Sequence, residues 1–121
     1  MNIFHRIRAY RWGIRPCRLP EQSTRAQRGT FGEDLAADHC RRVLGYREIV
    51  RNWRYQRDEI DLICQDGEVL VFVEVRARSE MALVSGFYSV DHHKKRVLRR
   101  GCGNYLKQLK NPPKHFRFDI I

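Results

Sequence analysis

Residues 58–76 read DEIDLICQDGEVLVFVEVR, two apolar runs on either side of Asp66-Gly67. Alternating segments around Asp-Gly are the strongest short-range signal for a β-hairpin. With Asp66-Gly67 as a two-residue loop, Gln65 pairs with Glu68, Asp61 faces Phe72 and Glu59 faces Glu74. Alternation then sorts the side chains onto two faces. Ile60, Leu62, Cys64, Val69, Val71, Val73 and Val75 form one, a mostly β-branched surface suited to a core. Glu59, Asp61, Ile63, Leu70, Phe72, Glu74 and Arg76 form the other, apolar near the turn and acidic at the far end. In this register Asp61 and Glu74 are diagonal neighbours, about 7–8 Å apart at the backbone.

Two readings fit that acidic corner. In one, the carboxylates point at water and Arg76 or another arginine neutralises them. In the other, the repulsion is tolerated because a divalent cation belongs there. Mg²⁺ takes hard oxygen ligands, commonly one or two carboxylates with water and phosphate completing the shell.

Outward from the hairpin, a third strand is expected at 48–55, ahead of 58–64 and 69–76. Upstream, Thr30-x-x-Glu33 fits a capping box, so a helix is expected to open at Thr30 and stop at Gly45. Phe31, Leu35, Ala36, Cys40, Val43 and Leu44 recur along it at helical spacing. Downstream, a helix from about Asp91 to Leu109 carries Val90, Val97, Leu98, Gly101, Tyr105 and Leu109 as its apolar stripe. Lys94, Lys95, Arg96, Arg99 and Arg100 crowd its first half, and Pro112-Pro113 ends it. Phe116 to Ile121 reads as a last strand. The passage from Arg76 to Phe116 is long enough for a crossover, so the last two strands can run parallel. The expected order is α-β-β-β-α-β: an α/β fold with a mixed sheet flanked by helices.

Residues 1–28 read as a basic arm ahead of a single domain at 29–121. The arm holds Arg6, Arg8, Arg11, Arg15, Arg18, Arg25 and Arg28, and Pro16 and Pro20 break any long helix. Its arginine excess resembles an organellar transit segment, but no apolar h-region suggests secretion. The formal net charge of +10 is unevenly spread. Residues 31–87 carry eleven acids against eight arginines, between two strongly basic ends. A basic frame favours a polyanion, most often nucleic acid. No apolar run approaches the roughly 20 residues of a membrane span, so no membrane partner is expected. Cys17, Cys40, Cys64 and Cys102 lie too far apart for a zinc ribbon and read as free thiols of a cytoplasmic protein. No Gly-x-Gly-x-x-Gly or Walker A loop is present.

Glu59 to Ile63 followed by Phe72 to Arg76 resembles the PD-(D/E)xK signature of restriction-endonuclease-like folds. The nearest resemblance is to the YraN family of bacterial proteins, with a wider likeness to archaeal Holliday-junction resolvases. It spans Gly29 to Ile121 through ordered blocks: Gly29-x-x-Gly32-Glu33-x-x-Ala36, Gly45-Tyr46, Arg51-Asn52, the two signature segments, Val90-Asp91-x-x-Lys94 and Arg117-Phe118-Asp119. The resemblance implies a restriction-endonuclease-like αβββαβ core. It also implies that Asp61 and Glu74 are metal-binding carboxylates, that Glu33 is the acid of the first helix, and that Arg76 stands at the signature lysine. Relatives continue past the Arg117-Phe118-Asp119 block, so a closing element beyond Ile121 is expected. Two departures stand out. Asp58 replaces the usual glycine, and Arg76 cannot act as a base, although its two parallel donors can stabilise phosphoryl charge.

The function expected from these features is nucleic-acid binding, DNA favoured over RNA, with Mg²⁺-dependent phosphodiester hydrolysis. Asp61, Glu74 and Arg76 would be catalytic, with Glu33 completing the metal shell. Lys94, Lys95, Arg96, Arg99 and Arg100 would contact the backbone. The rival is a non-catalytic binding module on a nuclease fold. A third reading has the site completed by a partner or by a second copy in a homodimer. Trp12, Trp53 and Tyr55 could stack on bases, although a buried or half-buried position is the commoner one.

Overall fold

Gly67 takes a left-handed φ of +58°, while Asp66 does not, and this decides the hairpin. A loop with its positive-φ glycine at the first central position is Gly67-Glu68, not Asp66-Gly67. The ladder therefore pairs Asp66 with Val69, Cys64 with Val71 and Leu62 with Val73. Either loop holds two residues, so the parity of the faces is kept. The register slides, however, and Asp61 comes directly opposite Glu74, one step beyond the Leu62–Val73 pair, instead of lying diagonal to it.

The computed structural model describes residues 7–9, 24–75 and 92–121. Their elements are β1 (Ile7–Ala9), α1 (Arg25–Arg42), β2 (Arg47–Tyr55), β3 (Asp58–Asp66), β4 (Val69–Glu74), α2 (His92–Lys107) and β5 (His115–Ile120). The expected αβββαβ order is present, with one short strand added ahead of it. Sheet order is β1-β5-β4-β3-β2. The β2, β3 and β4 strands pair antiparallel, and β5 lies parallel to both β4 and β1. The passage through α2 thus returns the chain parallel to β4, as its length allows. The Ile7–Ala9 strand falls within the segment read as an arm.

The first helix begins at Arg25, so Thr30 and Glu33 lie inside it and form no capping box. Thr24, a residue type that caps helices, immediately precedes it. Arg25, Ala26, Gln27 and Arg28 are good helix formers and extend the helix past the expected start. At the other end Gly45, at φ +71°, reverses the chain, and the Tyr46 N–H donates to the Cys40 carbonyl at 2.8 Å.

The sheet is covered on both faces. Ala36, Ala37 and Cys40 of α1 pack with Tyr46, Leu62, Cys64, Val71, Val73 and Ile121. Leu98, Cys102 and Tyr105 of α2 pack with Ile60, Ile63, Leu70, Phe72, Phe118 and Ile120. Cys40, Cys64 and Cys102 are free and buried, serving as small core residues. Gly101 of α2 faces Asp58 and Ile60, and a Cβ there would meet them in ordinary van der Waals contact, 3.5 Å from the Asp58 Cβ.

Ile60 departs from the expected alternation. It packs under α2 with Ile63, not with Leu62. The change of face falls at Asp61, inside the continuous strand β3. On the β2 side, the ladder pairs Arg51 with Leu62 and Trp53 with Ile60, and skips Asn52 and Asp61 between them. Asn52 has a φ of +49°. Asparagine tolerates this conformation better than most residues. Replacing Asn52 by Ala should cost about 1 kcal/mol and by Gly close to nothing, measured by urea unfolding. Equal losses in both variants would show that the Asn side chain, not the backbone, fixes the kink.

Candidate functional site

The β3–β4 ladder ends at the Leu62–Val73 pair, and just beyond it a side chain joins the two strands. The Val75 N–H donates to Asp61 Oδ2 at 2.9 Å. The carboxylate is thereby fixed by backbone at the end of the β3–β4 ladder. Glu74 is buried beside it, 8% exposed. Burial, and next the Glu74 carboxylate, push the Asp61 carboxyl up to about 6, with Glu33 and Glu59 acting in the same direction. The Val75 hydrogen bond acts in the opposite direction. Among the described residues, the carboxylates around Asp61 set the sign of its field.

Glu33 sits half-buried on α1 and reaches Asp61 through its field. Glu59 turns away to its ladder partner Arg54, at 3.2 Å. Arg76 lies outside the described residues. Among those residues, no three His, Cys, Asp or Glu side chains converge closely enough to hold a metal ion. Two carboxylates remain, Asp61 and Glu74. That donor set suits Mg²⁺, which needs only one or two carboxylates and keeps much of its water. It suits zinc poorly, since zinc takes nitrogen and sulfur in closed tetrahedral sites.

On α2, Arg96 and Arg99 are exposed and Lys95 is half-buried. The Lys94 side chain lies outside the described residues. Arg100 differs from its neighbours on the helix. Its guanidinium is engaged by Asp58, with Nε donating to Oδ2 at 2.9 Å and Nη2 to Oδ1 at 2.5 Å. The Asn104 amide donates to the same carboxylate at 3.4 Å. Asp58 is 3% exposed, and the Arg100 hydrogen bonds hold its carboxyl below its usual range despite burial. The acid that stands in place of glycine therefore does not add to the acidic corner. It staples the start of β3 to α2, and Arg100 serves packing as much as surface charge.

A second buried network was not foreseen from the sequence. Asp119 is fully buried and Arg117 is 5% exposed, both on the α1 side of β5. Arg117 Nε donates to Asp119 Oδ1 at 3.0 Å, and Nη1 donates to Asp66 Oδ2 at 3.0 Å. The Tyr46 hydroxyl donates to Asp119 Oδ2 at 3.0 Å and accepts from Arg117 Nη2. The guanidinium also lies 5.1 Å from the centre of the Tyr46 ring. The Gly45-Tyr46 and Arg117-Phe118-Asp119 blocks of the sequence are thus one structural lock joining the end of α1, the hairpin turn and β5. Their chemistry is that of support, not of a site.

Among the described residues no helix is long and apolar enough to cross a membrane.

Comparison with known proteins bears on the whole of this core. The family model described as "Uncharacterised protein family UPF0102" matches residues 32–121. A UPF0102 protein of Chlorobaculum tepidum is 40% identical over 93 residues, covering 77% of this chain and 71% of the relative. Another, from Symbiobacterium thermophilum, is 43% identical over 93 residues, covering 77% and 78%. A third, from Frankia casuarinae, is 40% identical over the same length, with 77% and 78% covered. A match that takes in Glu33, Asp61, Glu74, the Asp58–Arg100 staple and the Tyr46–Arg117–Asp119 lock in one span places the chain in the UPF0102 (YraN) family.

Proposed function

We propose that this chain binds nucleic acid, DNA in preference to RNA, and hydrolyses its phosphodiester bonds with Mg²⁺. The observation that carries the reading is the Asp61–Glu74 pair. It is two carboxylates set together where the β3–β4 ladder ends, with the Asp61 carboxyl raised to about 6 first by burial and then by Glu74. A fold gains nothing in stability from such a pair, and a hard cation is what would relieve it.

Asp61 and Glu74 would hold the ion, and the Val75 N–H would keep the Asp61 carboxylate in one orientation. Glu33 would supply further negative field from α1. Bound Mg²⁺ polarises a phosphoryl oxygen and makes water a better nucleophile. Lys95, Arg96 and Arg99 would take phosphates along the strand, and Arg76 would balance charge that builds on the reacting phosphate. Lys94 would join them from the first turn of α2. A binding module without turnover is the second reading. It is favoured by the lack of a third ligating side chain near Asp61 among the described residues.

Incubating the protein with Mg²⁺ or Mn²⁺ and single-stranded, duplex and branched DNA separates the two. Cleavage that depends on the cation and on Asp61 supports hydrolysis. Undiminished substrate in every arm, with binding intact, leaves the module.

Binding itself should be mostly electrostatic. Log affinity should fall linearly with log salt, and Lys95→Ala with Arg96→Ala should flatten the slope by about 0.9 per lost contact. Arg100→Ala should behave differently. It should lower the urea midpoint, because it leaves the buried Asp58 carboxylate with only the longer Asn104 hydrogen bond among the described contacts, yet change the slope little. A slope that flattens with Arg100→Ala and not with the Lys95/Arg96 pair would reverse that assignment.

A further inference from the structure

The β2–β3 hairpin ends in a two-residue tip, Gln56-Arg57, closed by the Tyr55–Asp58 pair. Gln56 holds a φ of +53°, a conformation that glycine or asparagine adopts at lower cost. Behind the tip runs a ladder of rings. Tyr105 of α2 meets Trp53 edge-on, with centroids 5.3 Å apart, and Trp53 stacks on Tyr55 at 6.1 Å with planes 9° apart. Tyr105 is buried, Trp53 half-buried, and Tyr55 39% exposed. The ladder therefore emerges from the core and ends in a ring that still meets solvent.

A single exposed aromatic is ordinary on a protein surface. This one differs in three respects. Its orientation is fixed from beneath by a stacked tryptophan that is itself braced by α2. It stands next to Arg57, which is exposed and whose charge also acts, more weakly than that of Arg100, on the neighbouring Asp58 carboxylate. It also lies at the Asp61 end of β3. Asp58, its ladder partner, lies three positions before Asp61, roughly 10 Å of strand. That distance corresponds to about three stacked bases at 3.4 Å each.

We propose that Tyr55, seated on Trp53, is a stacking platform for an unpaired nucleobase, with Arg57 on the adjoining phosphate. The inference rests on the nucleic-acid reading above and narrows it: the preferred substrate carries a single-stranded segment within a few nucleotides of the Asp61–Glu74 pair. A flat aromatic face accepts any base, so the preference is for unpaired structure and not for sequence. In a blunt duplex every base face except the outer faces of the two end pairs is already covered, and along its length only the phosphates and groove edges remain to be bound.

The test compares three labelled DNAs by fluorescence anisotropy at one salt concentration: a single strand, the same strand with a run of abasic sites, and a blunt duplex. Wild-type protein should bind the base-bearing strand on the order of tenfold more tightly than the abasic one. Tyr55→Ala should lose that preference while keeping its affinity for the abasic strand and the duplex. Tyr55→Phe, which keeps the ring, should retain the preference. The platform is overturned if Tyr55→Ala binds the base-bearing strand as tightly as wild type. It is overturned equally if that variant weakens all three DNAs to the same degree. Failure of the wild-type protein to bind any of them removes the nucleic-acid reading itself, and the platform with it.

Discussion

Asp119→Asn should cost about 3–5 kcal/mol of folding stability, although the side chain changes by one atom. Asp119 is fully buried and accepts from both Arg117 and the Tyr46 hydroxyl. Burial alone would lower the Arg117 guanidinium, but the Asp119 and Asp66 carboxylates outweigh it and hold it above its usual range. Removing the Asp119 charge leaves the cation in the core with the half-exposed Asp66 as its remaining carboxylate. Breaking one side of a buried pair is costly for that reason, whereas replacing both sides by apolar groups is often neutral. Arg117→Met combined with Asp119→Leu should therefore regain at least half of the loss. Tyr46→Phe, which deletes one hydroxyl and leaves the ion pair, should cost only about 1–2 kcal/mol. Domains of this size have about 5–15 kcal/mol to lose. Urea unfolding of the four proteins checks the ordering. Single variants within about 1 kcal/mol of wild type would mean that the network is solvated and the lock is no lock.

That network also shows where reading the sequence reaches its limit. Arg117 and Tyr46 are 71 positions apart, and nothing local marks them as partners. Strand alternation, by contrast, is local. The two faces of the hairpin followed from it at every position but Ile60, as both helices followed from helical spacing, and Asp61 and Glu74 were expected close together, though diagonal and not facing. The errors came where two local signals conflicted. Asp66-Gly67 looked like the loop, yet the backbone puts its glycine first and Glu68 second, which moved the register by one pair. Thr30-x-x-Glu33 had the spacing of a capping box, but the helix-forming residues before it carried the helix through. Ile60 crossed to the other face because of a kink set by the backbone of Asn52 on a neighbouring strand. The closeness of Asp61 to Glu74 was legible because the hairpin brings their two strands together, although the expected diagonal spacing gave way to a facing one. The pairing of Arg100 with Asp58 was not, because five basic residues in one stretch of helix look alike until one of them is seen facing a buried acid.

The Asp61 carboxyl gives the clearest test of whether that corner is a site. Asp61→Asn should abolish Mg²⁺-dependent cleavage and at the same time make the protein more stable. Its carboxyl is raised from 3.8 to about 6, first by burial and then by Glu74. A carboxyl raised on folding binds its proton more tightly in the native state, so it brings no penalty below about pH 4. The penalty grows as pH rises from 3.8 to about 6 and is complete above that. At 1.36 kcal/mol per unit, the burden at neutral pH is about 2–3 kcal/mol. Asparagine carries no charge, and its Oδ1 can still accept from the Val75 N–H. The variant should thus match wild type near pH 4, gain steadily to about pH 6.5, and hold an advantage of about 2–3 kcal/mol above it. Added Mg²⁺ should raise the unfolding temperature of the wild-type protein and leave that of the variant unchanged, because only a ligand that binds the native state stabilises it. A stability difference that stays flat across pH would show that Asp61 is not under strain. A Mg²⁺ response identical in the two proteins would place the cation elsewhere. If both expectations hold, the strain at Asp61 is what the fold sustains in order to keep two carboxylates ready for a cation.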